Sequence, residues 1–390
     1  IIEKLNTILP PYWSHGNPVD MAAVITPEPY LQCLEVLAEW DEVDSVIALG
    51  GSIHPDEPSS PTPRLFKKKV AEELPVTAQS SALFRFGEQC NFRCPMCSNT
   101  GERSLFFRDT PELLRRAAFL RARGFRRAVV TGGEATIHPG FWTIVERLAA
   151  YGMKWDINTH GRSFAEPGFA KRAVDSGLER AIVSLHSFDP PTSAAIFGVS
   201  EEAHHGSVHG VAALLEAGAE VMLNCVLSRL NVDRLDAYLR SAADRFGSGV
   251  RVKFVFPTTI GKGGEWREIA TLRYADVREQ VRAARATAAR LELRVSFESF
   301  PSCVLADPTS VNFGRSTFGE SHYLDDATGD RIYAMRHIEA ELSAYGEQCL
   351  GCAALRRCPG VSRRYASQHG VGELEAFPSP HGAAETAAAQ

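Results

Sequence analysis

The sequence predicts an α/β fold built around a parallel sheet, with a small cysteine-bearing domain at its C-terminal end. Between about residues 80 and 300, short apolar runs of strand length alternate with stretches whose apolar residues recur at helical spacing, the rhythm of βα units. The C-terminal quarter leaves that rhythm and gathers cysteines instead. At 390 residues, 44% hydrophobic and 23% charged, the chain can bury a sizeable core and is long enough for one large domain plus smaller additions.

Residues 1–52 have a pattern of their own: Ser14-His15-Gly16-Asn17-Pro18-Val19-Asp20, then Tyr30, Leu34 and Leu37 at helical spacing, then a strand-like run over 43–49. Residues 53–79 read as a linker, since His54 to Arg64 holds four prolines. An apolar run from Leu83 to Cys90 opens the βα region. Thr110 is placed to cap a helix with Pro111 at its first position, Leu113, Ala117 and Leu120 line one face, and Gly124 ends it. After a strand over 127–131, Phe141, Ile144, Val145 and Leu148 fall at i, i+3, i+4 and i+7 of a second helix that stops at Gly152. Strands over 154–159, 181–185, 221–227 and 252–256, with helices over 169–174, 208–215 and 235–246 between them, complete six strands. Val277, Val281, Ala284 and Ala288 mark a further helix before a strand over 293–297. Six βα units are too few for a closed eight-fold barrel. The tail over 378–390 has the composition of a disordered segment.

The chemistry starts at Cys90-x3-Cys94-x2-Cys97. A fully protein-ligated 4Fe-4S cluster takes four thiolates, so a loop offering three leaves one iron open, and an open iron is a place to do chemistry. Structural zinc sites pair two ligands in one loop with two more in another, whereas the next cysteine here is Cys225, which makes zinc the weaker reading. The loop is followed about 35 residues later by Gly132-Gly133-Glu134 at the end of the 127–131 run. Together they resemble the radical S-adenosylmethionine (SAM) superfamily. The resemblance implies a partial (β/α)6 barrel over residues 80–300. It also implies a SAM-binding 4Fe-4S cluster on Cys90, Cys94 and Cys97, and S-adenosylmethionine as the source of a 5′-deoxyadenosyl radical.

Ligands of parallel βα folds sit at the carboxyl ends of the strands. Gly132 and Gly133 remove side chains where a ligand approaches the backbone, and Glu134 can accept from an ammonium group. By resemblance these three hold the SAM amino group, while Thr159, Ser184 and Asn224 contact its ribose or carboxylate. Such residues at loop starts also satisfy local backbone, and that reading stays open beside the first. Met96 stands where the family often has an aromatic residue. His160 and His186 are placed near the barrel mouth and could move a proton, but a histidine satisfied by backbone is commoner, so no catalytic residue is assigned.

The second cysteine group is Cys349-x2-Cys352-x5-Cys358, with Cys303 about 45 residues upstream. Four thiolates close a tetrahedral zinc site or a cubane equally well, and a set with Cys225 replacing Cys303 is also open. This segment, 301–377, resembles the Twitch and SPASM extensions of radical SAM enzymes, which implies a small C-terminal domain with an auxiliary second 4Fe-4S cluster. The connection from Asp307 to Arg336 reads as one long loop. Arg315, and Arg363-Arg364-Tyr365, could bind an anionic group or simply be solvated. Residues 1–52 resemble a fragment of the ADP-forming acyl-CoA synthetases on their Asn-Pro-Val-Asp motif, without implying activity.

Twitch and SPASM enzymes modify peptides, so the first expectation is a peptide-maturing radical SAM enzyme; the alternative is small-molecule biosynthesis on a nucleotide, sugar or cofactor. A non-catalytic iron-sulfur electron carrier is disfavoured, because it needs neither an open iron nor a Gly-Gly-Glu strand end. The resemblance also implies a reducing partner such as flavodoxin or ferredoxin. A net charge near −5 argues against general nucleic-acid binding. No run of 18 apolar residues and no charged-then-apolar leader is seen, and the nine cysteines are mostly grouped as metal ligands are, so a cytoplasmic, membrane-free setting is expected.

Overall fold

Strand-length apolar runs cannot bury themselves singly, and in the computed structural model they unite in one sheet. The structure describes residues 2–7, 45–48, 64–67, 76–77, 79–94, 97, 106–257, 272–308, 320–324, 332–334 and 343–378. Contacts divide the chain into two units, Ile1–Leu74 and Pro75–Gln390. In the first, α1 (Ile2–Asn6) is followed by β1 (Ser45–Ala48) and β2 (Arg64–Lys67), which pair antiparallel. The region read as a linker thus contains a strand, because Leu65 and Phe66 supply an extended partner for the predicted 43–49 run. The 14–20 motif and the helix through Tyr30, Leu34 and Leu37 lie outside the described residues.

The second unit holds the barrel. In chain order come β3 (Ser80–Arg85), α2 (Thr110–Ala122), β4 (Arg127–Thr131), α3 (Phe141–Ala150), β5 (Lys154–Thr159), α4 (Phe169–Asp175), β6 (Leu178–Ser184), α5 (Pro190–Phe197) and α6 (Glu201–Glu216). There follow β7 (Glu220–Val226), α7 (Leu235–Phe246), β8 (Val250–Val255), α8 (Tyr274–Arg290), β9 (Arg294–Glu298), β10 (Glu320–Leu324) and β11 (Ile332–Ala334). Beyond these, β12 (Ser343–Ala344) pairs with β13 (Val361–Ser362), and α9 (Arg363–His369) follows. The sheet order is β11-β10-β3-β4-β5-β6-β7-β8-β9. Every neighbouring pair is parallel except β10 with β11.

The six expected strands are therefore the centre of a wider sheet. β9 continues it on one side, and β10, from the segment read as a loop, adds a parallel strand beside β3. β10 escaped the sequence pattern because serine and histidine hold two of its buried positions: Ser321 Oγ meets Ser81 Oγ at 3.2 Å, and His322 packs edge-on to Phe125. α5 was also unforeseen, although Asp189 caps it, accepting from the Thr192 N–H, and Pro190 and Pro191 open its first turn. In α2 the cap is Asp109 rather than Thr110, its carboxylate accepting from the Glu112 N–H.

Alternation along the strands separates two faces. One packs under the helices: Phe84, Val130, Trp155, Ile157, Val183, Leu223, Val252 and Phe254 are buried there with Leu113, Leu120, Ile144 and Leu148. The other forms the lumen, with a small apolar plug of Val129, Ile182, Met222 and Leu83. Toward the strand starts, Asp156 is fully buried between Arg127 and Arg180, at 2.9 Å from each. Among the described residues no helix is long and apolar enough to cross a membrane.

Candidate active site

The plug closes the lumen from one side, so its open end lies at the strands' carboxyl ends. Alternation brings Thr131, Asn158, Ser184, Asn224, Lys253 and Glu298 onto the lumen face there. Ser184 and Asn224 face each other in register across β6 and β7, and Asn224 is in register with Lys253 on β8. Lys253 Nζ bonds Glu298 Oε2 at 2.7 Å. Asn224 Oδ1 is buried and finds no hydrogen-bond partner among the described residues. An orphan acceptor at a strand end is expensive unless a donor arrives from elsewhere.

Thr159 sits on the other face, after Trp155 and Ile157, and its hydroxyl donates to Glu134 at 2.9 Å and accepts from the Gly161 N–H. Glu134 is 1% exposed, and its carboxylate also accepts from Thr136 Oγ1 at 2.6 Å and from the His160 N–H at 2.9 Å. The Glu134 side chain thus ties the end of β4 to the end of β5. Of the residues singled out from sequence, Ser184 and Asn224 line the lumen, whereas Glu134 and Thr159 bond each other behind it. The strand alternation would have pointed to Asn158, Thr131 and Lys253 as well.

The three-thiol loop leaves the end of β3 through a segment gripped on both sides. Glu88 and Gln89 N–H both donate to Phe106 O, while the Gly133 and Glu134 N–H donate to Gly87 O and Gln89 O at 2.9 and 2.8 Å. A methyl group on Gly133 would stand 2.1 Å from Gln89 O, and one on Gly132, at φ +145°, 2.6 Å from Gly87 O. The two glycines let the loop's stem lie directly on the end of β4. Farther along, the Arg93 N–H donates to Phe197 O at the end of α5. Cys90 and Cys94 rest against one apolar cluster of Phe92, Phe197 and Ala203, and Cys90 Sγ accepts from the Phe92 N–H at 3.3 Å. Cys97 is partly buried, and Met96 lies outside the described residues.

In the C-terminal segment, Cys303, Cys349, Cys352 and Cys358 line one pocket with Tyr345, Phe377 and their neighbours. Backbone N–H groups point at two of these sulfurs: Ser302 and Gly360 donate to Cys358 Sγ at 3.4 Å, and Phe377 to Cys352 Sγ at 3.3 Å. Burial, and then the neighbouring sulfurs, raise the Cys303 and Cys349 thiols above the ordinary range. No three potential ligands among the described residues are drawn up around a common metal point. Cys225 is fully buried on β7 with its thiol on His186 O, and is not part of this pocket. Arg315 lies outside the described residues, as do residues 379–390.

A three-thiol loop at the carboxyl ends of a parallel sheet lies where ligands of such folds bind. Residues 84–242 match the Radical SAM superfamily model. It is 36% identical over 114 residues to the Thermococcus kodakarensis protein named "Probable GTP 3′,8-cyclase", covering 29% of this chain and 36% of that one. With the GTP 3′,8-cyclase of Xanthomonas campestris pv. campestris (strain B100) it shares 28% identity over 210 residues, 50% of this chain and 59% of the relative. The chain therefore spans between about a third and three-fifths of the length of these relatives. In fold it resembles Streptococcus suis SuiB, with a TM-score of 0.51, 13% identity, and 77% of this chain and 76% of that one covered.

Proposed function

We propose that this protein reductively cleaves SAM and uses the resulting 5′-deoxyadenosyl radical to abstract hydrogen from a small-molecule substrate of the nucleotide, sugar or cofactor class. The carrying observation is the convergence at one end of the barrel of the three-thiol loop and the orphaned Asn224 Oδ1. The donor set fits the implied group: Cys90, Cys94 and Cys97 would hold three irons of a 4Fe-4S cluster and leave the fourth open. Such a cluster, when bound and reduced by a partner such as flavodoxin or ferredoxin, supplies the electron that splits SAM into methionine and the radical.

The chain's own residues bind and orient. Asn224 Oδ1 accepts a hydroxyl or ammonium proton from SAM, with Ser184 beside it in register. Gly132, Gly133, Glu134 and Thr159 form the bonded strand ends against which the SAM amino group lies. The plug of Val129, Ile182 and Met222 keeps water from entering the lumen from below.

Cys303, Cys349, Cys352 and Cys358 hold a second, fully ligated group in a Twitch-like domain, which the N–H groups aimed at Cys352 and Cys358 support by stabilising thiolates. Small-molecule chemistry leads over peptide maturation because the curated relatives are named for cyclising GTP, whereas the likeness to SuiB is one of fold. The test is anaerobic reconstitution with iron and sulfide, followed by reduction in the presence of SAM. Release of 5′-deoxyadenosine is expected, and a reconstituted chain that leaves SAM intact would refute the reading.

A further inference from the structure

We infer that His160 is a positioning residue for the three-thiol loop, clamping the residues between Cys90 and Cys94 onto the end of β5. The inference rests on the reading of that loop as a cluster site. His160 is 6% exposed, and its ring lies flat on Phe92, with centroids 3.9 Å apart and planes 16° apart. Its Nε2 is 2.7 Å from Asn91 Oδ1. Because Nδ1 accepts from the Arg162 N–H at 3.2 Å, the ring proton sits on Nε2, and it is Nε2–H that donates to Asn91.

The imidazole is itself fixed from behind. Glu134 Oε2 accepts the His160 N–H at 2.9 Å and lies 3.4 Å from Nε2, and Glu134 is held in turn by Thr136 and Thr159. The ring cannot turn without leaving Asn91, Phe92 and Arg162 together. Both clamped residues lie inside the Cys90-x3-Cys94 span, and Phe92 belongs to the apolar bed on which both sulfurs rest. A loop that must present its thiols at one spacing gains from a neighbour that removes its alternatives before the irons arrive.

The test compares the full wild-type chain, reconstituted anaerobically with ferrous iron and sulfide, with His160→Phe, Asn91→Ala and the double variant. His160→Phe keeps a ring for Phe92 and loses the donor; Asn91→Ala removes the acceptor at an exposed position and leaves the core untouched. The readouts are the rate of iron loss to a ferrous chelator and the electron paramagnetic resonance line shape of the reduced chain before SAM is added. Each single variant is expected to lose iron about 10-fold faster with an altered line shape, and the double variant to be no worse than either. Wild-type release and line shape in Asn91→Ala, or strictly additive effects in the double variant, would overturn the inference. If His160→Phe does not fold, Asn91→Ala decides alone. A wild-type chain that takes up no iron-sulfur cluster would remove the loop's assignment and this inference with it.

Discussion

Asn224 separates two kinds of polar residue at the barrel mouth. Ser, Thr and Asn at strand ends were legible in the sequence, but which of them are already satisfied was not, because that depends on partners tens of residues away. Thr159 and Glu134, 25 residues apart, bond each other, whereas Asn224 Oδ1 finds no partner among the described residues. Replacing Asn224 with Ala should therefore leave stability unchanged or raise it, by up to about 1 kcal/mol, since a buried unsatisfied acceptor disappears. SAM affinity should fall about 10-fold, the loss of one hydrogen bond. Thermal melts and equilibrium dialysis check the two halves, and a destabilised variant that binds SAM normally would contradict both. A second residue-level effect comes from His186, which burial holds neutral down to about 4 from an ordinary 6.5. The unfolded chain takes up that proton as pH falls below about 6.5 and the folded chain does not, so stability is full above 6.5 and declines toward pH 4. The loss is about 3 kcal/mol at the lower limit. Denaturant titrations from pH 7.5 to 4.5 should show the decline. In His186→Gln the slope should be shallower but not flat, since His204 is also held neutral down to about 4; equal slopes would exclude the assignment.

Elements with strong periodicity were readable in advance. Phe141, Ile144, Val145 and Leu148 are all buried along α3, and Leu113, Ala117 and Leu120 along α2, because a single apolar stripe serves a single sheet face. β10 and α5 were not readable: one joins the sheet through serines and a histidine, and the other is only 8 residues long with prolines in its first turn. The Gly132-Gly133 pair also has a role between elements, where the loop's stem rests on β4. Gly133→Ala should then cost about 1–3 kcal/mol or more, because the added methyl meets the backbone carbonyls of Gln89 and Glu88, the first of which accepts the Glu134 N–H. Urea unfolding measures the loss. An alanine variant as stable as wild type would mean that the 87–90 stem can lift away from β4 freely, and the loop would lose its rigid base.

At the scale of the whole second unit, α8 is the seat of the thiol pocket on the barrel. Its inner side packs Val277, Val281 and Ala284 into the barrel core, while Arg282 and Arg285 donate to the carbonyls of Cys303, Val304 and Leu305. Arg273 and Arg278 grip Glu373 and Glu375 beyond the last cysteine, and the Tyr365 hydroxyl on α9 accepts from the Tyr274 N–H. The four cysteines are legible in the sequence but this seating is not, since the arginines belong to a helix whose periodicity announces only its apolar stripe. Because the pocket is seated on α8 and the three-thiol loop on β4, β5 and α5, the two groups should load independently. A double variant, Cys349→Ala with Cys352→Ala, is expected to bring iron from about eight to about four per chain while 5′-deoxyadenosine release persists. Metal analysis by plasma emission together with product chromatography reads both quantities on one sample. Iron unchanged near four in wild type and variant, with zinc lost in the variant, would turn the pocket into a structural zinc site. Loss of all iron would instead mean that the barrel depends on the pocket for its fold, against the separate anchoring that α8 and β4 provide.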